Sequence, residues 1–317
     1  MKIFFRNSGI QAGLASALFL GVIPVFGKQS INVGFAPLAV TAFRTTIAML
    51  LLLSIMSVFK RQFFYIYPIG LAGCFLAGTI NGLGSLLYYN AIQRLDTSVA
   101  HLIYSFYPIF VAFLLFLDRS PISKITIFRL ALSIPGVYLL LDLSGNSVDM
   151  GGILMMFGAS LLYALHLIIN QRILVDVPAP TVTLYTLIAM SATVIIAYLI
   201  GDRSLPPSGT PYWPLLAMAF FTFLSRITLF MGVKHLGGLQ TALLGLGELV
   251  VTIGLAYIWL GDRLTVNQWV GAFLICVNVF LVGFDKITPQ KRKTTGILAW
   301  LNPPQIVSSE FPWKPEP

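Results

Sequence analysis

Charge is what this sequence has least of. Asp, Glu, Lys and Arg together make up 10% of it, against about 25% in an average soluble domain, which excludes a chain wrapped in a solvated polar surface. Cysteine is nearly absent too. Cys74 and Cys276 are too few and too far apart for a disulfide framework or a CxxC metal site, and both fall in apolar stretches, so each reads as a buried small hydrophobe. Neither a Walker loop nor an HExxH, GxSxG or dinucleotide fingerprint occurs, so ATP-driven, zinc-protease, α/β-hydrolase and dehydrogenase chemistries lack their marks. The expected cofactor and metal content is none.

Apolar residues fill the space instead. They form 57% of the chain, with a mean hydropathy of +0.87, in runs of the length that spans hydrocarbon as helix. Ten spans are expected: 10–27, 34–58, 67–91, 97–117, 124–142, 150–171, 181–200, 211–234, 238–260 and 266–284. The fold class is therefore an all-α integral membrane protein with ten transmembrane helices. Pro24 interrupts the first span, and Pro211 and Pro214 open the eighth. Lys2 and Arg6 before the first span resemble a secretory signal, but no small-x-small cleavage site precedes Lys28, so a retained helix is expected.

The formal net charge of +9 suggests nucleic acid in a soluble protein. Its placement says otherwise. With the N-terminus inside, the cytoplasmic segments and span edges hold fourteen Lys and Arg, among them Lys60, Arg61, Arg119, Lys124, Arg129, Arg172 and Lys234, and the other side four: Lys28, Arg94, Arg203 and Arg263. This positive-inside bias places both termini in the cytoplasm of a multi-pass protein of the cell (inner) membrane and makes the lipid bilayer, not nucleic acid, its partner.

The chain also repeats itself at a shift of about 141–144 residues. Ser16, Phe19 and Lys28 align with Ser160, Tyr163 and Arg172; Pro37 aligns with Pro180; Asn90–Leu95 aligns with Met231–Leu236, and Ser123–Leu141 with Leu264–Val282. The expected units are a cytoplasmic N-terminus (1–9), a five-helix repeat (10–142), a second (150–284) and a disordered cytoplasmic tail (285–317), in which Ile297–Leu301 with Trp300 is placed to touch the membrane surface. Five spans per half make the repeats inverted, which is a transporter signature.

Gly261-Asp-Arg-Leu-Thr265 with Gln268-Trp-Val-Gly271 resembles the G-E-R-L-T…G junction of EamA-type transporters in the drug/metabolite transporter superfamily. Tyr88–Ala91 with Thr97–Pro108 resembles that family's Y-x-A…P stretch, and Lys28 and Arg44 fall where the family has a Lys and an Arg. Asp262, Pro121 and Asn278 depart from the pattern. The resemblance covers about residues 10–284 and implies a ten-helix bundle around a central cavity that imports or exports small metabolites.

Arg226 and Glu248 are the opposite charges deep inside spans, each about eleven residues from the turn at His235–Gly238. At about 1.5 Å per residue both lie about 15 Å from it, level and near mid-bilayer, where an uncompensated charge costs at least about 2.5 kcal/mol. Thr241, Gly245, Glu248 and Thr252 share one helical face, as do Thr222 and Arg226. The repeat maps Thr222 and Arg226 onto Asn81 and Ser85, and Gly245 and Glu248 onto Tyr104 and Tyr107. Two readings are open: a polar cavity that binds solute, or a helix–helix contact with a structural ion pair.

Pro108 is expected to kink span four, and Gly78-x-x-x-Gly82 to allow close helix contact. His166 is a candidate proton relay with Glu248, His101 less so; Arg44 either attracts anions or snorkels, and Lys28 and Arg172 anchor span ends. The expected activity is not enzymatic: alternating-access transport of a small organic metabolite, with an amino acid or related amphiphile fitting a charged pair opposite an aromatic wall. An intramembrane enzyme using His166 and Glu248 on a lipid-like substrate is the alternative, and a passive channel lacks its ring of repeated polar residues. Substrate, direction, coupling ion and oligomeric state are not encoded in any motif.

Overall fold

Proline and glycine set the helix boundaries. Pro37, Pro108, Pro180 and Pro214 each sit in the first turn of a helix, where the missing N–H is no loss and the fixed φ suits the helix. Asp149 caps another, its carboxylate accepting from the Gly151 N–H at 2.8 Å. Gly237, at φ 90°, ends the helix that carries Arg226 in a conformation only glycine adopts freely.

The computed structural model describes residues 2–92, 94, 95, 103–118, 120, 122–140, 149–201, 203, 204, 206, 209–255, 265–284 and 298–301. Among these the chain forms α1 (Lys2–Asn32), α2 (Pro37–Phe59), α3 (Pro68–Ile92), α4 (Tyr107–Leu117), α5 (Lys124–Leu140), α6 (Met150–Ile173), α7 (Ala179–Ile200), α8 (Trp213–Leu236), α9 (Gly238–Gly245), α10 (Gly247–Leu255) and α11 (Val266–Phe280), with short 3₁₀ turns and no strand. Thr97, His101, Pro121 and the Gly261–Leu264 stretch, along with the tail at 285–297 and 302–317, lie outside the described residues.

Among the described residues six helices are long and apolar enough to cross a membrane: α1 over Ser8–Asn32, α2, α3, α6, α7 and α8. Of the other four expected spans, three correspond to shorter apolar stretches, α4, α9 with α10, and α11, and the fourth to α5, which carries Lys124 and Arg129. Pro24 does not break the first span, because α1 continues through it, and the N-terminal segment expected at 1–9 is helical from Lys2. The span expected at 238–260 is interrupted at Leu246. Phe116, Phe128, Leu154, Ile200 and Phe280 stand exposed on the outer surface, more apolar area than a water-facing protein carries. Cys74 is buried as expected, but Cys276 is exposed on α11.

The helices pair across the two halves of the chain. α1 packs along α8, α3 along α6 and α7, α2 along α7 and α8, α4 on α6, α9 and α10 on α1, and α5 on α11. Exchanging each first-half helix with its repeat partner maps this scheme onto itself: α1–α8 becomes α6–α3, α3–α7 becomes α8–α2, and α4–α6 becomes α9/α10–α1. Small residues allow the approach. A Cβ on Gly78 would lie 2.4 Å from the Thr186 carbonyl of α7, and one on Gly82 2.8 Å from Thr193 Cβ, so the Gly78-x-x-x-Gly82 face seats α7 directly.

Residues 298–301 of the tail pack on the bundle. Leu298 and Leu301 are buried, joined by a turn in which the Leu301 N–H donates to the Leu298 carbonyl at 3.1 Å. Leu301 shares the space above Gly73 of α3 with Ile173 of α6. Burial of the two leucines is worth about 1.5–3 kcal/mol each, while Trp300 between them is exposed.

Candidate functional site

Tyrosines line the middle of the bundle. Tyr88 of α3 meets Tyr104 edge-on at 5.0 Å between ring centroids; Tyr104 meets Tyr107 and Tyr163 of α6, each at 5.7 Å, and Tyr107 meets Tyr163 at 5.1 Å. His166 continues the series, 6.0 Å from Tyr163 and 5.7 Å from Phe230 of α8. At the other end Tyr88 contacts Tyr89, and the Arg44 guanidinium of α2 lies 5.2 Å from the Tyr89 ring centroid, a cation–π distance. Tyr104 and Tyr107 stand within this wall; Tyr163, Tyr88 and Tyr89 complete it.

The charges stand against that wall. Arg226 on α8 is 8% exposed. The Asn81 carboxamide of α3, with its oxygen toward the guanidinium, accepts from both terminal nitrogens at 3.1 and 3.2 Å. The direct Arg226–Glu248 ion pair does not form: among the described residues the ion pairs within 4.0 Å are Arg94–Asp149 and Arg172–Asp118. Glu248 is half-buried and interacts electrostatically with Arg226, Tyr88, Tyr104, Tyr107 and Tyr163. Arg44, 9% exposed, and Arg226 interact with each other across the site, and the Nε of each is buried without a hydrogen-bond partner. The Arg226 guanidinium thus feels both a second guanidinium and a carboxylate.

The threonines behave differently. Thr222 donates to the Met218 carbonyl at 2.8 Å and Thr241 to the Gly237 carbonyl at 2.8 Å, each one turn back on its own helix. Thr252 donates to the backbone carbonyls of Glu248 and of Gly21 on α1, both at 2.9 Å, so it belongs to the α10–α1 contact. Burial in an apolar bundle makes a hydroxyl bond its own backbone when no other acceptor is near. Ser85 is half-buried one turn beyond Asn81.

A helix break shapes the site. At Leu246 the backbone N–H turns to the Leu244 carbonyl rather than continuing the i−4 ladder. The Ala242 carbonyl that the ladder would have used accepts instead from the Tyr107 hydroxyl at 2.9 Å. Gly245 makes the approach feasible, since a Cβ there would lie 2.3 Å from that hydroxyl. Glu248 then falls in the first turn of α10, where the positive end of the helix favours a carboxylate. The first half is broken in the matching place: Ser105 and Phe106 form a turn between a helical stretch at Ile103–Tyr104 and α4, so Pro108 begins a helix rather than kinking one. Tyr107 and Glu248, aligned by the repeat, both open the second part of a broken helix, the arrangement in which transporters place irregular backbone at a binding site.

Gly245→Ala is expected to cost about 1–3 kcal/mol by overpacking, and Tyr107→Phe about 1 kcal/mol for its hydrogen bond. Tyr107→Phe combined with Gly245→Ala is expected to be more stable than Gly245→Ala alone, read as detergent melting temperature. Additive losses would mean that the hydroxyl is not what the new methyl group meets.

A second polar cluster, which the sequence did not point to, lies at the end of the bundle where α4 and α6 finish and α5 and α9 begin. Arg172 Nη2 contacts Asp118 Oδ2 at 2.6 Å with both side chains buried. The Gly238 N–H donates to Gln171 Oε1 at 2.8 Å, satisfying an orphan donor at the start of α9. Arg129, fully buried on α5, donates to Gln240 and, through Nε, to the Asn278 carbonyl at 3.0 Å; Asn278 returns a bond to the Arg129 carbonyl at 2.6 Å. Arg172 is thus more than a span-end anchor, and Asn278 ties α11 to α5. Only knowledge of which helices meet reveals these pairs.

Comparison with known proteins agrees with this architecture. The chain matches the EamA-like transporter family twice, over residues 7–142 and 150–284. It is 25% identical to an uncharacterized transporter of Synechocystis sp. over 70% of this chain and 69% of that protein. It is 24% identical to an uncharacterized transporter of Archaeoglobus fulgidus over 88% and 98%, and 29% identical to a probable amino-acid metabolite efflux pump of Salmonella typhimurium over 53% and 60%. A solved crystal structure shares the fold with a TM-score of 0.71 at 17% identity, covering 88% of this chain and 97% of the other. With both halves matched in tandem and most of its length covered, the chain belongs to the EamA-like transporter family.

Proposed function

We propose that the protein is a secondary carrier that moves a small organic metabolite bearing a carboxylate, by alternating access between two inverted five-helix repeats (10–142 and 150–284) that together make ten spans. One observation carries the solute reading: Arg44 and Arg226 are buried, each with an unpartnered Nε, and Arg226 interacts with both Arg44 and the Glu248 carboxylate. Buried donors left unsatisfied are costly, and a carboxylate from the solute satisfies planar guanidinium groups well. The tyrosine wall suits an apolar or aromatic body. The mutually exchanged helix pairing and the matched helix breaks support the alternating-access scheme.

The amino-acid metabolite named for the Salmonella relative falls within this class of solute. Arg226 and Asn81 hold the anionic end, Tyr104 and Tyr107 its body, and Glu248 balances charge or carries a proton. Thermal stabilisation of the purified protein by carboxylates, and not by the matching amides or amines, is the expected result. Stabilisation by cations alone would refute the reading.

Both termini are assigned to the cytoplasm from the charge asymmetry. An impermeant thiol reagent added to intact cells is expected to label a cysteine at Asn146 and not one at Lys60; the reverse labelling would invert the topology.

A further inference from the structure

We propose that His166 recognises the solute directly: its Nε2 is the hydrogen-bond acceptor for an N–H or O–H donor carried beside the solute's carboxylate. This rests on the carboxylate reading above and narrows the solute class to α-amino or α-hydroxy acids. The tautomer follows from geometry. His166 Nδ1 lies between two groups: the Ala77 carbonyl of α3 at 3.0 Å and Asn170 Nδ2 at 3.1 Å. The carbonyl can only accept, whereas the Asn170 amide already has a shorter bond to the His166 backbone carbonyl at 2.8 Å, so Nδ1 is assigned the proton. In the neutral ring the other nitrogen then holds a lone pair. Asn170, one turn along α6, reinforces the arrangement by donating to the His166 backbone carbonyl at 2.8 Å.

Nε2 is left with nothing to accept from. It is buried without a hydrogen-bond partner, in a side chain 1% exposed. A buried acceptor without a donor is an unusual expense in a native structure and asks for a specific explanation. The surroundings supply one. His166 interacts electrostatically with Arg226 and packs on Phe230, one turn below Arg226 on α8. Ala77, which fixes the ring, is one turn from Asn81, which holds Arg226. An unsatisfied acceptor and the unsatisfied donor Nε of Arg226 thus belong to side chains that interact electrostatically, each held by a partner one turn apart on α3. A solute with a carboxylate and an adjacent donor satisfies both at once. The same geometry gives His166 a role that needs no proton transfer during the cycle.

The test uses three acids of one skeleton: leucine, 2-hydroxy-4-methylpentanoate and 4-methylpentanoate. Binding to the purified full-length protein is measured by titrated thermal shift, and apparent affinity for transport in proteoliposomes. The native protein is expected to prefer the two donor-bearing acids at least tenfold over 4-methylpentanoate. His166→Phe is expected to bind all three equally, at the affinity of 4-methylpentanoate, and His166→Gln, which keeps an acceptor, to regain part of the preference if the phenyl ring proves too disruptive. Arg226→Gln is expected to weaken all three alike.

A preference that survives in His166→Phe and disappears in Glu248→Gln would overturn the proposal, giving the acceptor role to the carboxylate. Equal binding of the three acids by the native protein would overturn it while leaving the carboxylate reading intact. Failure of all three to bind would sink both.

Discussion

Glu248→Gln is expected to lower transport at least tenfold, about 1.4 kcal/mol, while the protein still inserts and folds. The substitution keeps the shape of the side chain and removes the site's negative charge. Arg44 and Arg226 are then left facing each other, with Asn81 as the close polar partner of Arg226. An arginine deep in a span costs at least about 2.5 kcal/mol without compensation, and the altered field either traps an anionic solute or blocks the empty carrier's return. Uptake into proteoliposomes at saturating solute, beside the amount of folded carrier recovered, separates the effects. Normal transport with a lowered melting temperature would make Glu248 a structural charge and move solute handling elsewhere.

Asp118→Asn is expected to give the largest loss of stability, about 3–5 kcal/mol. The carboxylate is buried against Arg172 at 2.6 Å, so removing its charge strands a guanidinium away from water. Asp118→Leu combined with Arg172→Met, which withdraws both charges, is expected to recover most of that loss, because an apolar pair of similar volume avoids desolvation altogether. Melting of the single and double variants in detergent reads the difference. A single variant as stable as the native protein would show that the pair is reached by water and contributes little.

Much of the helix plan was legible because proline, glycine and apolar run length act locally. Pro37, Pro180 and Pro214 mark helix starts, and the shift of about 141 residues aligned Tyr107 with Glu248 before their common place at a helix break was visible. Depth along a helix was legible as well, and it singled out Arg226 and Glu248 as charges deep in the spans. Their pairing was not. Equal depth fixes a coordinate along the bundle axis, whereas contact depends on rotation about each helix, and the break at Leu246 reset that rotation for Glu248 and Thr252. The same limit hid Arg129–Gln240 and Arg172–Asp118, whose members lie far apart in the chain. Ile297–Leu301 stood out as a patch placed to touch the membrane surface, but two leucines in a segment rich in Pro and Lys give no periodic signal that Leu298 and Leu301 are buried instead.

The cross-half pairing of the helices bears on biosynthesis. α1 is made first, yet its main neighbour is α8; α3 waits for α6, α7 and finally Leu301. Neither half holds a full set of its own contacts, so a ribosome that stalls between the repeats leaves the first half in the bilayer with small-residue grooves such as Gly78–Gly82 unfilled. Such a half-chain is a substrate for membrane quality control rather than a smaller carrier. Assembly is therefore a late, concerted event, completed only after the C-terminal leucines emerge.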